Sequence, residues 1–304
     1  MLNRLRIGTR GSLLARTQTE LVASQLRTAH PDLEISTEIV QTTGDARRDV
    51  PFAQVGTKGM FVKEIEEALL ADTVDVGVHS LKDMPSELPH GLHLACIPVR
   101  ESPFDALLSR NHLSLDELPV NAIVGTSSVR RQAQLRAARP DLRLVELRGN
   151  LDTRLRKLEE GQYDAIVLAC AGLNRLGLTH RITQELSPSV CLPAVGQGAL
   201  ALETRTADTD VASLLGVLHS PNTADCVAAE RGFQAGLNGG CSVPAGAYAS
   251  LDGDMIILHA IIAAPDGSHI LRERLTGPRS SARELGQAMA RQLLERGGNE
   301  LLKG

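Results

Sequence analysis

Leu5 and Ile7 alternate with Arg4 and Arg6, the pattern breaks at Gly8-Thr9-Arg10-Gly11-Ser12, and Leu14, Leu21 and Val22 then follow on one helical face. A period of two giving way through a polar turn to a period near 3.6 predicts a strand, a tight turn and a helix. A second alternation, Leu33, Ile35, Thr37 and Ile39, predicts another strand, and the largely apolar run 74–78 predicts a buried one. Phe61, Ile65 and Leu69 mark a helix between them. Strands alternating with helices imply a mostly parallel sheet covered on both faces.

The same grammar restarts at Ala122-Ile123-Val124-Gly125-Thr126-Ser127-Ser128, which opens a helix running to about Arg139 before Pro140. A strand over 144–147, a helix over 150–161 and a strand over 164–169 follow, so a second, similar α/β domain is expected. Pro98, Ser102 and Pro103 punctuate the junction and put the boundary near 99–105. A strand after Gly196-Gln197-Gly198 is expected to return to the first domain, joining the pair by two crossover strands about which it can hinge. From Pro221 the pattern becomes a helix, three strands over 245–250, 255–264 and 269–275, and an amphipathic helix over 281–296. That is a small α+β domain with an antiparallel sheet. The expected division is 1–99 with 199–217, then 104–194, then 221–304.

A chain of 304 residues suits two or three domains, with a cleft expected between them. Hydrophobic residues at 42% and charged residues at 22% fit a water-soluble globular protein. No run approaches the ~18–20 apolar residues of a bilayer span, and the first residues lack a secretory apolar core, so a cytoplasmic protein is expected. Five widely spaced cysteines, without C-x-x-C or neighbouring histidines, fit neither a disulfide framework nor a zinc site, and no metal is expected. The net charge of −4 argues against nucleic acid as a partner. Only five of the 32 basic residues are lysines, so 27 are arginines. Arginine forks match carboxylates and phosphates, although codon bias alone can produce this composition.

Two Gly-Thr turns feed helix N-termini, where backbone N–H groups and the helix dipole converge on an anion. Thr9, Arg10 and Ser12 furnish one; Thr126, Ser128, Arg130 and Arg131 furnish the other. Serine and threonine there equally serve as helix caps. The nucleotide patterns G-x-G-x-x-G and G-x-x-x-x-G-K-[ST] are missing, so carboxylate is as good a guest as phosphate. Lys82 and Asp83 follow a buried strand, whose carboxyl end is where α/β sheets hold ligands. Asp83 is therefore a candidate acid/base group or partner for a developing cation, the alternative being a solvated ion pair. Arg148, Arg154 and Arg175 fall at or just beyond strand ends, a rim able to clamp carboxylates, whereas Arg156 reads as helix surface. The long polar segment 42–59 reads as a lid or an unstructured loop. Cys241 follows Gly239-Gly240 and precedes Pro244, a turn that presents a thiol; the other four cysteines read as small buried hydrophobes.

Together GTRGSLLARTQ (8–18), KGMFVKEIEEALL (58–70), VGVHSLKDMP (76–85), GTSSVRRQAQL (125–135), LRGNLDTRL (147–155) and ERGFQAGLNGGCSVPAGAY (230–248) resemble the porphobilinogen deaminases over essentially the whole chain. The resemblance implies two domains like periplasmic binding proteins, a small third domain, and a dipyrromethane cofactor on Cys241 through a thioether. It implies that four porphobilinogen molecules lose ammonia and are added to the cofactor's free end, after which water releases hydroxymethylbilane. Asp83 matches the catalytic aspartate, a position that also binds the cofactor. Lys82, Thr126, Ser128, Arg130 and Arg131 match positions holding cofactor carboxylates, and Arg10, Ser12, Arg148, Arg154 and Arg175 match positions for substrate or the growing chain. Phe61 matches a phenylalanine that stacks on a pyrrole, or else is core, and Lys58 lies in the segment over the cleft. A monomer is expected.

The alternatives are a two-domain anion-binding protein, which needs neither Cys241 nor Asp83, and a phosphoribosyl or nucleotide transferase, which predicts metal dependence.

Overall fold

The computed structural model describes residues 2–42, 62–237 and 244–302. Lys58, Phe61, Cys241 and the segment 43–59 lie outside the described residues. The chain divides into two compact units, Met1–Arg100 with Ala199–Ala224, and Glu101–Gly198 with Asp225–Gly304.

The first unit is built on strands β1 (Arg4–Arg10), β2 (Glu34–Val40), β3 (Val76–Ser80), β4 (Leu92–Cys96) and β10 (Leu200–Arg205), with helices α1 (Leu13–Ala29), α2 (Lys63–Leu70) and α6 (Thr209–Leu215). The sheet order is β2-β1-β3-β10-β4. β1 is parallel to β2 and β3, while β10 is antiparallel to both its neighbours, so only one strand opposes the parallel direction expected from the sequence. Helix α1 buries Ala15, Gln18, Thr19, Val22, Ala23 and Leu26, a stripe at i, i+3, i+4, i+7, i+8 and i+11. Of the expected face through Leu14, Leu21 and Val22, Val22 is buried and Leu14 half-buried, but Leu21 is exposed, because the stripe against the sheet also takes small and polar side chains.

In the second unit, strands β5 (Asp105–Ser109), β6 (Ile123–Gly125), β7 (Arg143–Val145), β8 (Ala165–Ala169) and β9 (Gln184–Leu186) alternate with helices α3 (Val129–Ala138), α4 (Leu151–Glu159) and α5 (Cys170–Arg175). The order β7-β6-β8-β5-β9 repeats the first sheet's pattern, with two parallel ladders and two antiparallel ones made by the reversed strand β5. Ser12, Ser128 and Asn150 cap helices α1, α3 and α4 by accepting a backbone N–H three residues on.

The same unit contains the antiparallel sheet of β11 (Ala245–Asp252), β12 (Met255–Ala263) and β13 (Ile270–Pro278). Helices α7 (Pro221–Gly236) and α8 (Ala282–Leu293) share its core, with Phe233, Leu258, Ile262, Met289 and Leu293 buried together. This sheet is tied to the α/β layer by an edge-on Phe104–Tyr248 ring pair and by Glu230, whose carboxylate accepts N–H groups from Gly196 and Ala249. The turn after β12 needs glycine: Gly267 has φ +76°, and a Cβ there would lie 2.5 Å from the Ala133 carbonyl of α3.

Candidate functional site

In the first unit the chemistry gathers at the carboxyl ends of β1 and β3. Arg10 closes β1, and Ser12 accepts the Ala15 N–H at 3.3 Å. Thr9 is buried and donates to the Ala15 carbonyl. Beyond β3 the chain makes one 3-10 turn, Leu81–Asp83. Leu81 and Met84 are buried on either side, and the Leu81 N–H donates to the Ala199 carbonyl at 3.0 Å. Two apolar anchors thus fix the backbone of Lys82 and Asp83, both half-buried. Arg10, Gln18, Ser80 and Asp83 line a cavity of about 20 Å³, room for about one water. The structure therefore brings Arg10 and Asp83 to one spot, with Ser12 capping the adjoining helix.

A second polar group in this unit has no sequence signature. His79 Nε2 lies 3.1 Å from a Glu203 oxygen, both side chains almost fully buried. Neither that nitrogen, nor either Glu203 oxygen, nor Glu66 Oε1 has a hydrogen-bond partner among the described residues. Room for the imidazole comes from Gly77, where a Cβ would sit 2.6 Å from His79 Nε2. Burial pushes the Glu66 carboxyl up to about 7, and the negative charges of Glu203 and Glu67 add to the shift.

In the second unit the turn before α3 is tightly wired. Thr126 donates its N–H to the Val145 carbonyl and accepts the Ser128 N–H, and Ser128 accepts the Arg131 N–H. Arg130 and Arg131, which the sequence aims at a ligand, are 4% and 6% exposed and direct hydrogen bonds inward. Both meet Asp105, the first residue of β5: Arg130 Nη1 donates to Oδ2 at 2.8 Å, and Arg131 Nε and Nη2 donate to Oδ1 at 3.0 and 2.6 Å. Gln197 Nε2 also donates to Oδ1, and the Cys191 thiol donates to Oδ2. Burial alone would raise the Asp105 pKa, but the two guanidinium charges override it and hold the carboxyl well below the usual range. Among the described residues no other carboxylate pairs with either arginine, so two buried cations share one anion. That excess positive charge suits an anionic guest.

The remaining candidate arginines, Arg148, Arg154 and Arg175, lie elsewhere in the same unit. Arg148 pairs with Glu146 at 2.8 Å, and Arg154 Nε donates to the Gly149 carbonyl at 2.8 Å, so the two flank the start of α4. Arg175 ends α5 and donates to the Gly198 carbonyl at 2.6 Å. Its burial lowers the guanidinium pKa, opposed by the charge of Glu101. Asp105, Gln197 and Cys191 escape the sequence reading. The available signals are faint: one charged residue heading the apolar run Ala106-Leu107-Leu108, and a glutamine between two glycines.

Residues 5–213 match a family model described as porphobilinogen deaminase, dipyromethane cofactor binding domain. Residues 224–295 match the porphobilinogen deaminase C-terminal domain. A porphobilinogen deaminase of Roseiflexus castenholzii is 51% identical over 304 residues, covering 100% of both chains. Among solved structures, a methionine binding protein aligns with a TM-score of 0.46 at 16% identity, covering 74% of this chain and 95% of that one. The periplasmic VFT2 domain of Bordetella pertussis BvgS aligns with a TM-score of 0.40 at 18% identity, covering 70% and 85%.

Proposed function

The chain belongs to the porphobilinogen deaminase family, and on that premise we propose how its residues divide the work. It is a transferase of tetrapyrrole biosynthesis: it deaminates porphobilinogen, joins four molecules head to tail on a dipyrromethane primer, and releases hydroxymethylbilane by hydrolysis.

The observation that carries the residue assignment is the charge imbalance around Asp105. Pyrrole acetate and propionate groups are the anions that such a donor set fits. Arg130 and Arg131, with Thr126, Ser128 and Lys82, hold the carboxylates of the dipyrromethane, and Cys241 carries it through a thioether. When bound, the dipyrromethane supplies the free end to which pyrroles are joined. Arg10 and Ser12 take a carboxylate of the incoming substrate, and Arg148, Arg154 and Arg175 take those of the lengthening chain. Phe61 and Lys58 act on the same ligands.

Loss of ammonia from porphobilinogen leaves a cation, and the Asp83 carboxylate stabilises that charge and handles the pyrrole N–H proton. The cavity shared with Arg10 supports this role, because Arg10 can hold a substrate carboxylate beside the acid. The three sheets have separate apolar cores, which supports the division into domains 1–99 with 199–217, 104–194 and 221–304. No helix among the described residues is long and apolar enough to cross a membrane. We place the enzyme in the cytoplasm as a monomer without a nucleic-acid partner or a metal.

Intact mass with peptide mapping at Cys241 tests the anchor. Wild type and Cys170→Ser carry the mass of two linked pyrroles, while Cys241→Ser does not; equal loss in both variants removes Cys241 as the anchor. Asp83→Asn keeps that mass and loses turnover by on the order of 10²-fold or more. Near-normal turnover excludes Asp83 from the chemistry.

A further inference from the structure

We propose that Asp105 is the positioning residue for cofactor loading: it aims the two guanidinium forks of Arg130 and Arg131 and cancels half their charge, leaving a site for one carboxylate. The inference rests on the reading that these arginines hold the dipyrromethane.

Asp105 is fully buried and receives five donors, three on Oδ1 and two on Oδ2. A guanidinium is planar and rigid, so fixing one edge fixes the direction of the others. Arg131 is held through Nε and Nη2 on Asp105 and through Nη1 on the Val167 carbonyl at 2.9 Å. Arg130 is held through Nη1 on Asp105 and on the Leu192 carbonyl. Among the described residues its Nε and Nη2 make no hydrogen bond, all of its side-chain hydrogen bonds running through Nη1. Without the aspartate each long side chain would sample several rotamers, and a ligand carboxylate would have to order them on binding.

Charge points the same way. Two arginines against one carboxylate leave one positive unit, which a single ligand carboxylate neutralises. Stability alone does not account for the cluster, since a buried ionic triad is often no more stable than an apolar replacement of similar volume. Gln197 donates to Oδ1 and also to the Pro103 carbonyl just before β5, so the carboxylate is itself held from the backbone.

The test uses the full chain with Asp105→Glu, which keeps the charge but displaces the carboxylate by one methylene. Three quantities are read: the fraction of chains carrying two linked pyrroles by intact mass, that fraction after incubation with porphobilinogen, and the Tm. The loaded fraction is expected to fall at least tenfold in folded Asp105→Glu protein. It should fall no further in Asp105→Glu combined with Arg130→Lys and Arg131→Lys than in the two lysine replacements alone, because the aspartate acts through both arginines. Folded Asp105→Glu loaded as wild type, or a further loss when it is added to the two lysine replacements, overturns the proposal and leaves Asp105 a merely structural residue. If the glutamate overpacks the site, Cys191→Ala beside it clears the atom 3.3 Å from Oδ2, and the same loading comparison is made against Cys191→Ala alone. A wild-type chain that never acquires the mass overturns the cofactor reading itself, an outcome distinct from a loaded wild type with an equally loaded Asp105→Glu.

Discussion

Asp105 in one unit and Glu66 in the other are buried carboxyl groups in layers built on sheets of equivalent strand order, yet their surroundings treat them oppositely. Asp105 meets two guanidiniums, an amide and a thiol, and stays ionised far into acid. Glu66 faces the charges of Glu203 and Glu67, in a pocket where the Glu203 carboxylate oxygens and His79 Nε2 lack hydrogen-bond partners among the described residues, and retains its proton to about 7. Burial has the same sign in both; the partners decide the outcome.

The two groups therefore imprint opposite pH dependences. Glu66 has its folded pKa raised from 4.5 to about 7, so its stabilising contribution is complete below 4.5 and fades as pH climbs through 7. Asp105 has its folded pKa depressed, so its contribution is present above the ordinary value of 3.8 and is lost only as pH falls toward the depressed one.

The largest effect expected is from Asp105→Ala, which strands two buried cations and should cost about 3–5 kcal/mol in denaturant unfolding at pH 7. A loss under 1 kcal/mol would erase the contrast. Next, Glu66→Gln should stabilise the protein by up to about 3 kcal/mol at pH 8.5 and by almost nothing at pH 4.5, read from paired denaturation curves. A pH-independent difference would mean that Glu66 is not the titrating group. Gly77→Ala places a methyl 2.6 Å from His79 Nε2 and 2.8 Å from Ile65 Cγ2. It should cost roughly 1–2 kcal/mol by overpacking. The smallest effect is Arg156→Ala: its pairing with Glu160 at 3.6 Å is exposed, and the change should stay within about 0.5 kcal/mol.

Much of the architecture was legible because period and punctuation are local properties. The strand, Gly-Thr turn and helix at 4–29 and again at 123–138 follow from alternation, serine caps and helical spacing. The full buried face of α1 does not follow from its leucines, because packing on the sheet also selects Ala15, Gln18 and Ala23. The reversed direction of β10 follows from its partners, which lie far away in sequence. The site divides along the same line. Arg10 and Asp83 could be placed at strand ends from local pattern, and they do line one cavity. Asp105 could not be singled out, since its importance comes from residues 25, 26, 86 and 92 positions away.

The position of β10 between β3 and β4 also governs how the protein is made. The first hundred residues leave the ribosome with two strands that lack their common neighbour, which is translated about a hundred residues later, after roughly 5–20 s of synthesis. During that interval the edges of β3 and β4 present unpaired backbone groups that can capture another nascent chain. A fragment ending at residue 198 keeps both edges open for good.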